Sequence, residues 1–487
     1  MLMSPVQSAA LPRLGGRLTL ISAGSRFRWL YHSMTFPAQE LYAHKWGIDA
    51  SCYVHPQSME TTSATTWDRL RVWQEGLQQI KPGDWMWYLG PGCVIADLDF
   101  DWRSLGPAAG DLIIGADQTG FNFESFLLRS TPQAHLFLQR VGKLKGTVVT
   151  ANEAMTVLIR AELITADIRP RRALASLFST DTQAEPDPAA VQSTYQVGDL
   201  VLQFPSWEQS SLALLHHVTE PFRRAAAAPR PGKIHRTYCI HALGDNMAHL
   251  HLLRKLAVRH PGHRFIHQCM PAHLGQLTEM SEDLANIALE PLHRVDLGAI
   301  DCWKNSECFW ETHPLHYEYA GFYIDFFKRL AGRMGLESPI ETPEDLLFDY
   351  PALQKPTPLD SPFDFLIVNS MPLSGQLSRD TNMDGLIAEL AARYTVIVTQ
   401  PSAVPGIVCT QDYGLSVSGI GRLSTFCRYI VMISTGSSWG TFNVWNKDSV
   451  AYRLILIDNE RIGLSKNTEQ ADNVDGATLL LQKAGLL

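Results

Sequence analysis

The stretch RTYCIHALGDNMAHLHLLRKLAVRHPGHRFIHQC, Arg236 to Cys269, constrains the fold more than any other part of this sequence. An apolar run reads as a strand and ends in the turn Gly244-Asp245-Asn246. Met247, Leu250, Leu253 and Leu256 or Ala257 then recur at the spacing of one helix face, and Pro261-Gly262 closes the pattern before a second apolar run, RFIHQC. Strand, helix, strand is a βαβ unit, the crossover that a parallel pair requires. The text from Phe363 repeats the scheme with FDFLIVNS, a loop, the helix MDGLIAELAARY, the strand TVIVTQ and later RYIVMISTGSS. Two such halves in succession predict two parallel, doubly wound sheets with a cleft between them.

The first 218 residues also alternate. RLTLIS, DWMWYL, DLIIGAD, SFLLR and DLVLQF read as strands, and WDRLRVWQEGLQQI reads as an amphipathic helix ended by Pro82-Gly83. Two composition breaks divide the chain. TEPFRRAAAAPRPGKIHR (219–236) is an Ala/Pro/Arg stretch with the look of a linker, and DYPALQKPTPLDSPFD (349–364) is rich in proline. The expected domains are 17–218, 233–350 and 362–487, which suits a 487-residue chain too long for one ordinary core.

The formal net charge of −8 argues against a phosphate-backbone binder, so no nucleic-acid partner is expected. Cys52, Cys93, Cys239, Cys269, Cys302, Cys308, Cys409 and Cys427 form no CxxC pair and read as reduced, buried thiols. The opening MLMSPVQSAALPRLGG lacks an apolar core, and no run reaches the roughly 20 apolar residues of a membrane span. A cytoplasmic protein is expected.

Three places suit chemistry. Asp245 stands at the carboxyl end of a strand, where open α/β sheets bind ligands, and a carboxylate there suits a general base; a helix cap is the alternative. STGSSWGT, with Ser434, Thr435, Gly436, Ser437, Ser438 and Thr441, follows an apolar strand, and its small residues let backbone N–H groups and hydroxyls approach a diphosphate. NSMPLSGQLSRD (369–380) follows the first strand of the same half and offers Ser374, Gly375, Gln376 and Arg379. By contrast, His249 and His251 lie two apart on a helix and point to different faces. The aromatic run FWETHPLHYEYAGFY (309–323) reads as packing, or alternatively as sugar stacking at an acceptor mouth.

The segment HALGDNMAHLHLLRKLAVRHPGHRFI, with VMISTGSSWGTFN, resembles the heptosyltransferase-type GT-B glycosyltransferases over about 230–460. The family's Asp before Thr-Gly is Ser434 here, and its usual His is absent. The resemblance implies a sugar nucleotide held by the third segment, an acceptor held by the second, and Asp245 as the base. Within 17–210, YAHKWGID, WDRLRVWQEGLQQIKPGDWMWYLGPGCVI, GFNFESFLLRSTP, NEAMTVLI and GDLVLQFPSW follow in order the landmarks of GT-A galactosyl- and mannosyltransferases of the galactomannan and yeast-mannan type. In those enzymes a DxD motif after the WxWxL strand binds a divalent metal and the donor diphosphate. Gly90 and Gly92 fall on its two carboxylate positions, Gln203 on the metal-binding histidine, and Asn152 on an acidic position beside a retained Glu153. Asn122 belongs to the same landmarks. Asp97, Asp99 and Asp101 just downstream offer a relocated cation site as the alternative to a lost one.

The expected fold class is therefore α/β: a GT-A-like nucleotide-sugar-transferase domain without its metal, followed by a GT-B module of two Rossmann-like domains. The expected function is glycosyl transfer from a nucleotide-sugar donor to a polysaccharide, lipid-linked or other glycan acceptor, with no cofactor and no obligatory metal. Activity is assigned to the GT-B module. The two alternatives are a metal-independent GT-A-like transferase with a C-terminal scaffold, and a non-catalytic glycan- or nucleotide-binding protein.

Overall fold

The structure, a computed structural model, describes residues 14–25, 29–55, 62–90, 92–117, 120–177, 199–203, 218–219, 222, 232–239, 242–296, 319–370, 381–457, 463–464 and 467–487. The chain forms two compact units. The first is Met1–Ala228 with His293–Ile300; the second is Pro229–Leu292 with Asp301–Leu487.

In the first unit the strands are β1 (Leu18–Ser25), β2 (Asp49–His55), β3 (Trp85–Leu89), β4 (Cys93–Ile95), β5 (Leu112–Asp117), β6 (Gly120–Arg129), β7 (Ala166–Pro170), β8 (Ser176–Leu177) and β9 (Val201–Gln203). A seven-stranded sheet runs in the order Arg294–Asp296 (β13 in chain order), β2, β1, β3, β6, β5, β7, and β4-β9-β8 form a small second sheet. Strands β1, β2, β3, β5 and β7 are mutually parallel, while β6 and β13 run against them. All five residues of β3 are buried, which explains an unbroken apolar run in a strand covered on both faces. Helix α1 spans Trp29–Trp46, and α2 (Thr62–Gln79) lays Leu70, Trp73 and Leu77 on this core, where Trp73 meets Tyr88 and Phe126 edge-on. Gly83, at φ +89°, makes the turn into β3 that other residues resist. Helices α3 (Pro132–Lys143) and α4 (Ala151–Arg160) are capped by Thr131 and Thr150.

The second unit holds two wholly parallel sheets. One is β10 (Ile234–Cys239), β11 (Arg264–Cys269) and β12 (Ile287–Pro291) in sequential order, with helix α5 (Leu243–Arg259) as the first crossover and α6 (Pro271–Glu279) as the second. The other contains β14 (Phe363–Val368), β15 (Val396–Val398), β16 (Val408–Cys409), β17 (Cys427–Ile433), β18 (Tyr452–Leu456) and β19 (Thr468–Ala471), in the order β16-β15-β14-β17-β18-β19. Helix α7 (Tyr319–Arg333) contributes Tyr323, Phe326, Phe327 and Leu330 to a core shared with α5 and the six-stranded sheet. The proline-rich stretch after Asp349 belongs to this core. Tyr350 is buried and donates to the Met247 carbonyl at 2.6 Å. The α/β architecture with parallel sheets is as the sequence predicts. No helix among the described residues is long and apolar enough to cross a membrane. The six described cysteines are free and buried, whereas Cys302 and Cys308 lie outside the described residues.

Helix α5 buries residues on every face from Asn246 to Leu253, which its leucine periodicity alone does not foretell. His251 is fully buried, and its Nε2 stands 2.7 Å from the Asp345 carbonyl. Burial, reinforced by the Lys255 charge, lowers its pKa to about 4. An imidazole that is harder to protonate when folded than when unfolded destabilises the fold once the unfolded chain starts to take up protons. Stability is therefore full above pH 6.5 and declines as pH falls towards 4, by about 1.4 kcal/mol for each pKa unit of difference. Denaturation midpoints measured between pH 4 and 7 should show this slope, and His251→Gln, whose amide can still donate to the Asp345 carbonyl, should flatten it.

Candidate functional site

The six-stranded sheet reverses its winding between β14 and β17: β15 and β16 lie to one side of β14, and β17, β18 and β19 to the other. A ligand crevice opens at the carboxyl ends of the two strands that flank such a switch point. The loops leaving β14 and β17 are the two that the sequence singles out. In the first, Ser374, Gly375, Gln376 and Arg379 lie outside the described residues. Asn369, at its root, receives the backbone N–H groups of Thr399 and Gln400 and donates to the Gln400 carbonyl, tying the end of β14 to the end of β15.

The loop after β17 enters a four-residue helix, Gly436–Trp439. Ser434, Ser438 and Thr441 are buried. The Ser438 hydroxyl takes the Thr435 N–H at 3.1 Å and donates to the Thr435 carbonyl, and the Thr441 hydroxyl donates to the Ser438 carbonyl. Ser438 and Thr441 thus shape the turn. Thr435, Gly436 and Ser437 remain partly exposed. A Cβ at Gly436 would stand 2.7 Å from Leu243 Cβ, so this glycine is already required by packing on the start of α5, independently of any ligand.

Opposite that loop, α5 starts at Leu243, with Ala242 as an extended N-cap, so Gly244-Asp245-Asn246 is the helix's first turn rather than a turn preceding it. Asp245 is not the cap. A buried polar chain fixes this turn to the sheet. The Asn246 amide donates to the Ala242 carbonyl at 2.9 Å, and its oxygen lies 3.2 Å from His267 Nε2. His267 Nδ1 lies 2.9 Å from the Thr237 hydroxyl. Burial holds the pKa of His267 well below its usual value, so the ring is neutral: Nε2–H donates to Asn246, and Nδ1 accepts from Thr237.

Asp245 itself is only partly buried. Its Oδ1 accepts the Tyr323 O–H at 2.6 Å, and Tyr323 in turn accepts from the Tyr319 hydroxyl at 2.9 Å. Burial, then the neighbouring Asp245 charge, pushes the Tyr323 phenol well above its ordinary pKa, so it stays a donor. Tyr319 stacks on Trp439 with ring centroids 4.3 Å apart. Trp439 also lies against Gly244, where a Cβ would overlap its ring. One carboxylate, two tyrosines and a tryptophan thus meet where the β10 and β17 edges face each other. The tyrosines close the aromatic run 309–323, and the sequence gives no sign that they reach Asp245.

In the first unit, Gly90 and Gly92 follow β3 at the carboxyl edge of the large sheet. Asn122 is buried, its carbonyl oxygen accepting the Glu124 N–H. Gln203 pairs across from Cys93 and accepts from Arg171 at 3.2 Å. Glu153 is exposed and receives the Val149 N–H at 3.0 Å, while its own N–H bonds the Thr150 hydroxyl, so it helps fix the start of α4. The acids downstream also have structural partners. Asp97 accepts the Asp99 N–H, Asp99 pairs with Lys45, and Asp101 caps a 3₁₀ turn through the Arg103 N–H. Among the described residues no three His, Cys, Asp or Glu side chains are grouped to hold a metal ion.

No family model matches this sequence, and no curated protein matches it. Solved structures with some likeness are glycosyltransferases. A glycosyltransferase involved in glycosylation of the major capsid of PBCV-1 is 12% identical, with a TM-score of 0.34 over 42% of this chain and 99% of its own. The E. coli heptosyltransferase WaaC with ADP-2-deoxy-2-fluoro heptose is 10% identical, with a TM-score of 0.33 over 51% of this chain and 99% of its own. The galactosyltransferase LgtC in complex with donor and acceptor sugar analogs is 12% identical, with a TM-score of 0.28 over 42% and 95%. Likenesses this shallow leave function to be read from the residues.

Proposed function

We propose that the chain is a glycosyltransferase whose second unit moves a sugar from a nucleotide-sugar donor to a hydroxyl of a glycan or lipid-linked acceptor. The reading rests on one observation above all. Asp245, at the carboxyl edge of one parallel sheet, is fixed by Tyr323 and faces the loop that leaves the switch point of the other. In the proposed step Asp245 takes the proton of the acceptor hydroxyl as its oxygen bonds to the anomeric carbon. The bond from that carbon to the diphosphate breaks, and the nucleoside diphosphate leaves with the electron pair. Backbone N–H groups of Gly436 and Ser437, with the 374–379 loop, stabilise the leaving charge. No metal is required in this scheme.

The test is a panel of nucleotides and sugar nucleotides, read as thermal shift of the full chain, because a ligand that binds only the folded state raises its midpoint by mass action. Ser437→Asp places a negative charge at the partly exposed edge without touching the Leu243 contact. It should weaken nucleotide binding by at least about tenfold, since like charges repel across a short gap. Undiminished binding in this variant moves the donor away from 434–441, and a panel without a single stabilising nucleotide removes the transferase reading. Nucleotide stabilisation without transfer would instead mark a binding protein that does not turn over.

A further inference from the structure

The GT-A likeness of the first unit implies a divalent cation beside β3, and the residues present do not fit one. Glycine at 90 and 92 offers no carboxylate, and Gln203 offers a neutral amide. The space a side chain at 90 would need is also taken, because a Cβ on Gly90 would overlap the Glu124 carboxylate, which reaches over from the paired strand β6. Glu124 is bound by Arg69 of α2, a guanidinium whose side chain is 10% exposed. A second pair stands at the same edge. Arg171, just past β7, donates to Asp117 at the end of β5 at 3.0 Å and to Gln203 at 3.2 Å; its side chain is 12% exposed and that of Asp117 is 10% exposed. Cys93 joins the two pairs. It lies opposite Gln203 in the small sheet, and its thiol donates to the Glu124 carbonyl.

We infer that two guanidinium groups, Arg69 and Arg171, have taken over the electrostatic role of a divalent cation at this edge. A metal at such a site balances carboxylates brought together by neighbouring strands. Here Arg69 balances Glu124 and Arg171 balances Asp117, so two positive charges meet two negative ones and nothing is left for a cation to neutralise. Arginine suits the task because its charge persists at any working pH and its planar fork matches a carboxylate. The exchange also resists simple reversal: a side chain restored at 90 meets the tip of Glu124, so that carboxylate has to swing away from its place on Arg69 first. This inference rests on the first unit alone and stands whether or not the second unit transfers sugar.

The measurement is thermal unfolding of the full chain, with manganese and with chelator, for the natural protein and five variants. The natural protein should show the same midpoint in both conditions. Arg69→Gln and Arg171→Gln each leave a partly buried carboxylate (side chains 24% and 10% exposed) without its counter-charge and should lower the first-unit transition by several degrees. The charge-balanced pairs R69Q/E124Q and R171Q/D117N should recover most of that loss. Gly90→Asp should be destabilising alone, from overlap and like charge with Glu124. Three results overturn the inference: a stoichiometric manganese-dependent rise in the natural protein, arginine variants as stable as the natural one, or balanced pairs no better than the single arginine variants. Should the single variants fail to fold, folding of the balanced pairs still supports the inference, and their failure overturns it.

Discussion

Asp245→Asn is expected to lower sugar-transfer turnover by roughly 10²–10⁴-fold while leaving nucleotide-sugar affinity nearly unchanged. The substitution is clean because the structure separates the two roles the residue offers. The cap of α5 is Ala242, so loss of the carboxylate does not uncap the helix. The amide oxygen can still accept the Tyr323 O–H that the carboxylate accepts at 2.6 Å. What disappears is proton acceptance and a favourable charge in the first helical turn, the latter worth only about 0.3–1 kcal/mol. Initial rates at saturating donor and acceptor, alongside calorimetric donor affinity, separate the outcomes. Near-normal transfer by the Asn variant would remove Asp245 from the chemistry and return the residue to a structural role.

Asp245 also shows where sequence reasoning reaches and where it stops. Its position was legible because strand, small turn and periodic helix are local patterns: β10, α5 and β11 lie where Arg236–Cys269 places them. The buried strand β3 was legible for the same reason, as were β14, β15 and β17. Sheet order was not, because nothing local states on which side of β14 the later strands fall. The partners of Asp245 were hidden by distance, Tyr323 lying 78 residues away on a helix whose aromatic text reads as packing.

Glycines were the least legible of all. A glycine announces that something needs its missing side chain without saying what. Gly436 read as room for a diphosphate, yet Leu243 already fills that space; Gly90 read as a lost ligand, yet Glu124 occupies the vacated volume. Hydroxyls misled in a related way, since Ser438 and Thr441 read as ligand donors and serve the turn that carries them. In each case a short polar residue is ambiguous between binding and local geometry until its neighbours are known.

Trp439→Ala is expected to destabilise the second unit by about 3–5 kcal/mol, the range for emptying a buried aromatic site. Its side chain, with the residue only 8% exposed, stacks on Tyr319, meets Phe442 at 5.9 Å between ring centroids, and covers Gly244. Gly244→Ala alone forces a methyl group into that ring and should cost about 1–3 kcal/mol. The two should not add. With the indole gone the methyl group enters vacated space, so the double variant should be less destabilised than the sum by about 0.5–3 kcal/mol. Urea denaturation followed by circular dichroism measures all four corners of the cycle without relying on the tryptophan's own fluorescence. The coupling matters for function because the same ring joins the loop after β17 to the first turn of α5. If Trp439 holds that loop over Asp245, Gly244→Ala should weaken nucleotide binding as well as stability, with both recovering in part when Trp439 is replaced by a smaller aromatic such as Phe. Strict additivity of the two costs would mean that the ring and the glycine do not touch in solution, and that the loop is positioned by other contacts.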